Sequence, residues 1–311
     1  MALRSQACAG GVPTRGLAEW VETLACPGCG AGLRQESALG LRCAGCGQVF
    51  PPEGGIPSLV IGAQRAWASA LAVEYRQARL REGWVPVAAE DALALPERCP
   101  RRHPRLYWEV RRQSLETLLR VLKVVGAAQP SPTDGRPLAA DLGAGTGWLS
   151  YRLALAGFRA VAVDASTDES FGIGAAVVYQ QACPGRILAV QGDLEYPPLA
   201  TATYALVVFN ASLHYAGDLE GSVARAARAL HPGGFLAVLD SPVEAQPRRG
   251  TGRGDRHLGR TELDEALYAA GLGARWIRVR RGPRWWWRQA RVWARGHERF
   301  EFPIVFAKKG G

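Results

Sequence analysis

The sequence predicts an α/β fold, a parallel sheet covered by helices on both faces and finished by an antiparallel strand, with a small cysteine-bearing ribbon ahead of it. Three observations carry this. Beyond Pro137 short apolar runs alternate with helical patterns, as they do in a sheet buried on both faces. The first run passes directly into a turn of closely spaced glycines, DLGAGTGW, starting at Asp141. Near the N-terminus two CxxC pairs share one module, a spacing that suits a tetrahedral metal.

The elements follow in order. Residues 1–19 read as a loose tail and residues 20–62 as the ribbon, closing with FPPEGGIPSLV. A helical linker or cap region spans 63–130. Within it, Trp67, Leu71, Val73, Tyr75 and Leu80 mark one amphipathic helix over 65–81. Prolines break the stretch 82–104, and Val110, Leu115, Leu118, Leu119, Leu122 and Val125 mark a second helix over 106–125. The α/β domain occupies 131–311, with strands expected at 138–142, 159–164, 186–190, 204–209 and 235–240. Crossover helices are expected at 148–156, 172–181 and 221–230, then a helix over 261–270 and two last strands at 274–280 and 300–308.

Composition narrows the class. A hydrophobic fraction of 48% with 21% charged residues excludes a disordered chain. No apolar run reaches the ~18–20 residues that cross a bilayer, and MALRSQACAGGVPTRG holds no continuous apolar core of a signal peptide. The expectation is a cytoplasmic protein. A net charge of +10 suggests nucleic acid, but only Lys123, Lys308 and Lys309 of 38 basic residues are lysine. That skew is compositional, so the placement of arginines says more than their number. Cys8, Cys99 and Cys183, outside the CxxC pairs, read as free thiols.

Glycines let the chain turn sharply and approach a ligand closely. Gly143, Gly145 and Gly147 do so straight after a strand. Three companions sharpen the signal. Asp164 ends the next strand, 23 residues after Asp141, where a carboxylate can accept from both ribose hydroxyls of an adenosine. Gln191-Gly192-Asp193 follows the third strand, within reach of an adenine, and HPGGF precedes the fifth. The nicotinamide fingerprint GxGxxG fails, because position 148 is Trp.

DLGAGTGW, VAVDAS, QGDLEYPP, LVVFNASLHY and ALHPGGFLAV, in this order, resemble the sequential motifs of the class I S-adenosylmethionine-dependent methyltransferases. The likeness is to the type-11-like branch with quinone and small-molecule enzymes. It covers residues 137–243 and implies a Rossmann-like seven-stranded sheet, its last strand antiparallel. S-adenosylmethionine is then expected across the carboxyl ends of the strands. By this resemblance Asp141, Gly143, Ala144, Gly145, Gly147, Asp164, Ala165, Gly192, Asp193, Leu194 and Asn210 bind the cofactor.

Methyl transfer from a sulfonium asks mainly for alignment of nucleophile and methyl group; a base is needed only where the acceptor must lose a proton. In Asn210-Ala-Ser-Leu-His214-Tyr215, His214 and Tyr215 are the catalytic candidates, His214 as base. Packing against the adenine or the sheet edge is its competing role. No Pro follows Asn210, so the segment is not the [DNS]PP[YFW] pattern used on exocyclic amino groups. Asp240, at the end of the fifth strand, can face the acceptor or be an ordinary strand end.

The ribbon offers Cys26-Pro-Gly-Cys29-Gly and Cys43-Ala-Gly-Cys46-Gly, with thirteen residues between Cys29 and Cys43. Four thiolates at this spacing suit structural Zn(II), which substitutes for a core that ~40 residues cannot build. The module resembles the small zinc-ribbon activator of methyltransferases. It also resembles the ribbon of a ribosomal-RNA guanine methyltransferase family, from which Cys46 in place of His departs. It can contact RNA, dock on the catalytic domain or roof the acceptor site.

Arg284-Trp285-Trp286-Trp287-Arg288 and Arg291-Val-Trp293-Ala-Arg295 interleave cations and aromatics between the last two strands. Read as a hairpin, this segment suits RNA stacking, a lid over an apolar acceptor, peripheral membrane contact, or Trp packed on the sheet. The sequence therefore points first to a methyltransferase with a small-molecule acceptor. An RNA methyltransferase is the alternative, and a non-catalytic cofactor-binding scaffold is the third reading.

Overall fold

The computed structural model describes residues 16–127, 135–244, 257–294 and 301–310. Three short strands form the N-terminal ribbon: β1 (Leu33–Gln35), β2 (Leu41–Cys43) and β3 (Val49–Phe50), antiparallel in that order. Next come α1 (Gly62–Arg81), the single turn α2 (Ala89–Ala92) and α3 (Arg105–Val124). In the α/β part β4 (Leu138–Leu142), α4 (Trp148–Leu155), β5 (Arg159–Asp164), α5 (Val177–Ala182), β6 (Ile187–Gln191) and β7 (Tyr204–Asn210) follow one another. The chain continues through α6 (Leu219–Ala229), β8 (Leu230–Leu239), β9 (Val243–Glu244), β10 (Leu258–Gly259) and α7 (Arg260–Ala269). It ends with β11 (Leu272–Ile277), α8 (Pro283–Ala294) and β12 (Ile304–Lys309).

The main sheet has seven strands in the order β11-β12-β8-β7-β4-β5-β6. The five strands from β4 to β8 are mutually parallel, and β12 runs antiparallel to both neighbours. This is the predicted fold class. The central strands are buried end to end; Ala139, Val161, Val163, Leu206 and Val208 have essentially no exposure. Leu115, Leu118, Leu149, Leu153 and Tyr179 from α3, α4 and α5 cover one face. Val223, Ala226, Leu263 and Leu267 from α6 and α7 cover the other.

The ribbon joins that second face. Trp20, Leu24, Phe50 and Leu59 share a core with Val161, Val163, Leu188 and Val190. Arg159 lays its guanidinium 4.1 Å from the centre of the Trp20 ring, and the Tyr204 hydroxyl donates to the Thr23 carbonyl at 2.6 Å. Its closing segment also extends the sheet. Gln191 N donates to Pro57 O at 2.9 Å and Leu59 N to Gln191 O at 2.8 Å, which pairs the carboxyl end of the edge strand β6. Of the three roles open to the ribbon, these contacts show docking on the α/β domain.

Two expectations change. The Arg/Trp segment is the helix α8 rather than a hairpin. Pro283 supplies a preset φ at the first helical position, and Trp285 and Gln289, one turn apart, are its buried residues among those whose burial is described. Cys183, read as a free thiol, is disulfide-bonded. Cys99 is free, and Cys8 and Arg295 lie outside the described residues. No described helix is long and apolar enough to cross a membrane.

Candidate cofactor and acceptor cleft

Order in the sheet reverses at β4, whose neighbours β5 and β7 lie on opposite sides. Ligands of open α/β sheets bind at the carboxyl ends of strands around such a switch point. The cleft found there has two adjoining halves that share part of their lining. Gly143, Gly145, Tyr75 and Ala211 border both.

The floor is the turn between β4 and α4. Gly143 and Ala144 donate their N–H groups to Val163 O at 2.9 and 3.0 Å, which ties the turn to β5. Gly143 has φ +71°, and a Cβ there would lie 2.4 Å from Ser212 Cβ, so no other residue fits. Gly145 is also left-handed, φ +55°, but a Cβ built there would meet nothing nearer than Phe171 O at 3.9 Å. Its bare Cα leaves the space of the cleft open above it.

Asp164 joins turn and floor. Its Oδ2 accepts from Gly145 N at 2.8 Å and its Oδ1 from Ser166 N at 2.9 Å. Burial pushes this carboxyl up to about 6 against those two donors. Ribose hydroxyls need the ionised acceptor. Affinity for S-adenosylmethionine is therefore expected to be flat above about pH 7 and to fall toward tenfold per unit below about pH 6. Calorimetric titrations from pH 5 to 8 check this; an unchanged constant at pH 5 contradicts it.

Ala165, Gly192, Asp193 and Leu194 complete this half. Asp193 is buried and its Oδ1 accepts from Glu195 N at 2.9 Å. Ala144 and Asn210 face the second half. Two of the residues assigned to the cofactor by resemblance, Asp141 and Gly147, line neither half. Asp141 is fully buried beneath the turn and accepts from Ser150 Oγ at 2.8 Å; burial raises its carboxyl to about 7. Gly147 starts α4, where a Cβ would press on Ala176 at 3.2 Å.

The two catalytic candidates part company. Tyr215 lines the first half, edge-on to Tyr75 with 6.3 Å between ring centres. Burial pushes its hydroxyl up to about 12, so it stays protonated. His214 lines neither half; its ring lies tilted against that of Tyr215, 4.4 Å between centres, and Nδ1 sits 3.3 Å from Ser241 Oγ. Burial drives it down to about 4, which makes it a neutral and weak base at pH 7. Asp240 is held by Ser114 Oγ at 2.5 Å and Arg281 at 3.6 Å.

The roof escaped the sequence reading. Trp67, Leu71 and Tyr75, successive turns of α1, close over the first half. An ion pair of 2.6 Å between Arg76 and Asp168 pins the helix to the loop after β5. Ser166, Glu195 and Ser212 are further lining residues; Glu195 accepts from Gly217 N at 2.7 Å. The second half is walled by Trp84, His103, Trp108 and Trp148, with Arg79 and Arg111 among them.

The Cys26, Cys29, Cys43 and Cys46 sulfurs all lie within 4.8 Å of one another. The Cys29–Cys43 and Cys26–Cys46 separations are 3.4 and 3.8 Å. A tetrahedron with ~2.3 Å metal–sulfur bonds has edges of about 3.8 Å, so the donor set fits. Cys46 N and Gly45 N donate to the Cys43 sulfur at 3.4 and 3.3 Å. These donors lower its thiol to about 6.

A search of curated proteins finds no match to the chain. Solved structures similar to it include an S-adenosylmethionine-dependent methyltransferase from Mesorhizobium loti, 17% identical, covering 63% of this chain and 100% of that one with TM-score 0.45. Geranyl diphosphate C-methyltransferase from Streptomyces coelicolor is 15% identical over 62% of this chain and 76% of its own, TM-score 0.48. A Haloferax volcanii complex of the Trm112 methyltransferase activator with a methyltransferase is 15% identical over 81% and 100%, TM-score 0.47. The family described as "Methyltransferase domain" matches residues 140–238, the stretch from β4 to β8 that builds the floor of the cleft.

Proposed function

We propose that the chain is an S-adenosylmethionine-dependent methyltransferase acting on a small molecule, with a structural zinc ribbon (20–62) and a helical cap (63–130) built onto its catalytic domain (131–311). The observation that carries the reading is the Asp164 carboxylate, tied to Gly145 at the floor of a cleft at the sheet's switch point. Asp164 would hold the ribose hydroxyls, Asp193 and Leu194 the adenine side, and the open backbone at Gly145 the amino-acid end. Bound there, the sulfonium supplies an activated methyl group. Trp67, Leu71 and Tyr75 would shield it from water. Positioning by Asn210, Ala211 and the aromatic walls does the remaining work; the low basicity of His214 suits an acceptor that needs no strong base.

Cys26, Cys29, Cys43 and Cys46 would hold Zn(II). All four positions are filled by thiolate, which makes the site structural rather than catalytic.

The small-molecule reading is supported by the second half of the cleft, a concave site walled by Trp84, Trp108 and Trp148. One observation favours RNA instead. On α8, Arg284 exposes 72% of its side chain, and Trp286 and Trp287 are 49% and 74% exposed. Transfer of labelled methyl groups into fractionated lysate decides between them. Label is expected in the small-molecule fraction; label in RNA alone, with binding that weakens steeply in salt, would replace this reading with the second. No transfer to any fraction would favour the scaffold.

A further inference from the structure

The second half of the cleft carries a feature that alignment of a neutral acceptor does not require. Arg111, on α3, enters a wall otherwise made of aromatic rings. Its guanidinium carbon lies 5.0 Å from the ring centres of both Trp84 and Trp108. Nη1 is shielded from solvent and has no hydrogen-bond partner among the described residues. Asp240 gives it Coulombic support from a distance, while that carboxylate is engaged by Ser114 and Arg281. A shielded guanidinium without an oxygen partner loses free energy unless something else supplies one.

Arg79, on α1, stands beside it. Its guanidinium carbon is 4.8 Å from the Tyr75 ring centre and 5.8 Å from that of Trp84. Glu82 pairs with it at 3.1 Å, but its Nε is likewise buried without a partner. Both arginines line the same half of the cleft as Gly143, Ala144 and Gly145. Two cations and several π faces thus share one half of the cleft with the glycine turn, a combination that suits an acceptor carrying both an oxyanion and a planar body.

We propose that the acceptor is a small anionic molecule whose carboxylate or phosphate group is received by Arg111 and Arg79 and whose planar body packs on Trp84 and Trp108. Arginine matches either oxyanion through paired N–H donors, and the flanking rings hold the fork in place. The assignment rests on the methyltransferase reading, because it takes the turn at Gly143–Gly145 as the donor end.

The test uses the full chain saturated with S-adenosylhomocysteine, titrated calorimetrically with benzoate, phenyl phosphate and neutral benzamide. At least one anion is expected to bind tenfold or more tightly than benzamide. The tighter of the two anions tells carboxylate from phosphate. Arg111→Gln is expected to abolish that preference and Arg111→Lys to retain part of it. S-adenosylhomocysteine affinity should be unchanged in both variants, which also shows that they fold. Equal binding of anions and benzamide, no binding of any probe, or a preference that survives Arg111→Gln would overturn the proposal and leave the cofactor reading standing. Failure of the wild-type chain to bind S-adenosylhomocysteine would instead remove the reading on which both rest.

Discussion

Replacing Asp164 by Asn is expected to weaken S-adenosylmethionine binding about 100-fold or more. The carboxylate accepts from Gly145 N and Ser166 N, and each of its oxygens has a further lone pair for a ribose hydroxyl. An amide keeps one acceptor and turns the other position into a donor facing a donor. Hydrogen bonds to a charged group contribute ~1.5–3 kcal/mol each; losing one or two of them is a factor of roughly 10 to 10⁴. The substitution also removes the titrating group. The loss of affinity below about pH 6 that follows from the raised Asp164 carboxyl should therefore vanish in the variant. A weak constant that still falls with acid would place the responsible group elsewhere.

The second large effect concerns the ribbon. Cys43→Ser should release the metal and lower the melting temperature of the whole chain, not only of the first 60 residues. Metal binding to such a module is worth ~10 kcal/mol or more and is folding free energy; without it the ribbon has no core of its own. Trp20, Leu24, Phe50 and Leu59 are nonetheless part of the core that covers β5 and β6. Gln191 also loses its pairing with Pro57 and Leu59. If about 3–5 kcal/mol of this contact is lost, the melting temperature falls by on the order of 10 °C. Calorimetry of the variant, with elemental analysis of the wild type for one zinc per chain, checks both halves. A wild-type chain free of zinc, or a variant that melts unchanged, contradicts the account.

What the sequence disclosed and what it hid separate along a physical line. The strands β4 to β7 and the Phe235–Leu239 half of β8 announce themselves because they are buried on both faces and so read as largely apolar runs. The cleft floor is equally local: Gly143 and Gly145 need left-handed backbone, and Asp164 follows its strand directly. The roof is different. Trp67, Leu71 and Tyr75 form a stripe that any helix facing a core would show, and only the folded chain brings them against residues about 100 positions later, at Asp164 and Asp193. Arg111 sits among the apolar positions of α3 and looks like one more solvated cation until Trp84 and Trp108 close around it.

Local composition also misled. Three consecutive tryptophans favour a strand by propensity, yet Pro283 and the spacing of Trp285 and Gln289 make α8 a helix. His214 looked like a base because free imidazole titrates near neutrality. Its environment is what a sequence does not print: burial takes it to about 4.

The central claim is that the cleft at the switch point binds S-adenosylmethionine through the Gly143–Gly145 turn and Asp164. Isothermal titration of the folded, zinc-replete chain with S-adenosylhomocysteine at pH 7.5 tests it most directly. One site per chain with a constant in the micromolar range is predicted, together with loss of the heat in Asp164→Asn. No heat from the wild-type chain, or the same heat in the variant, would contradict it.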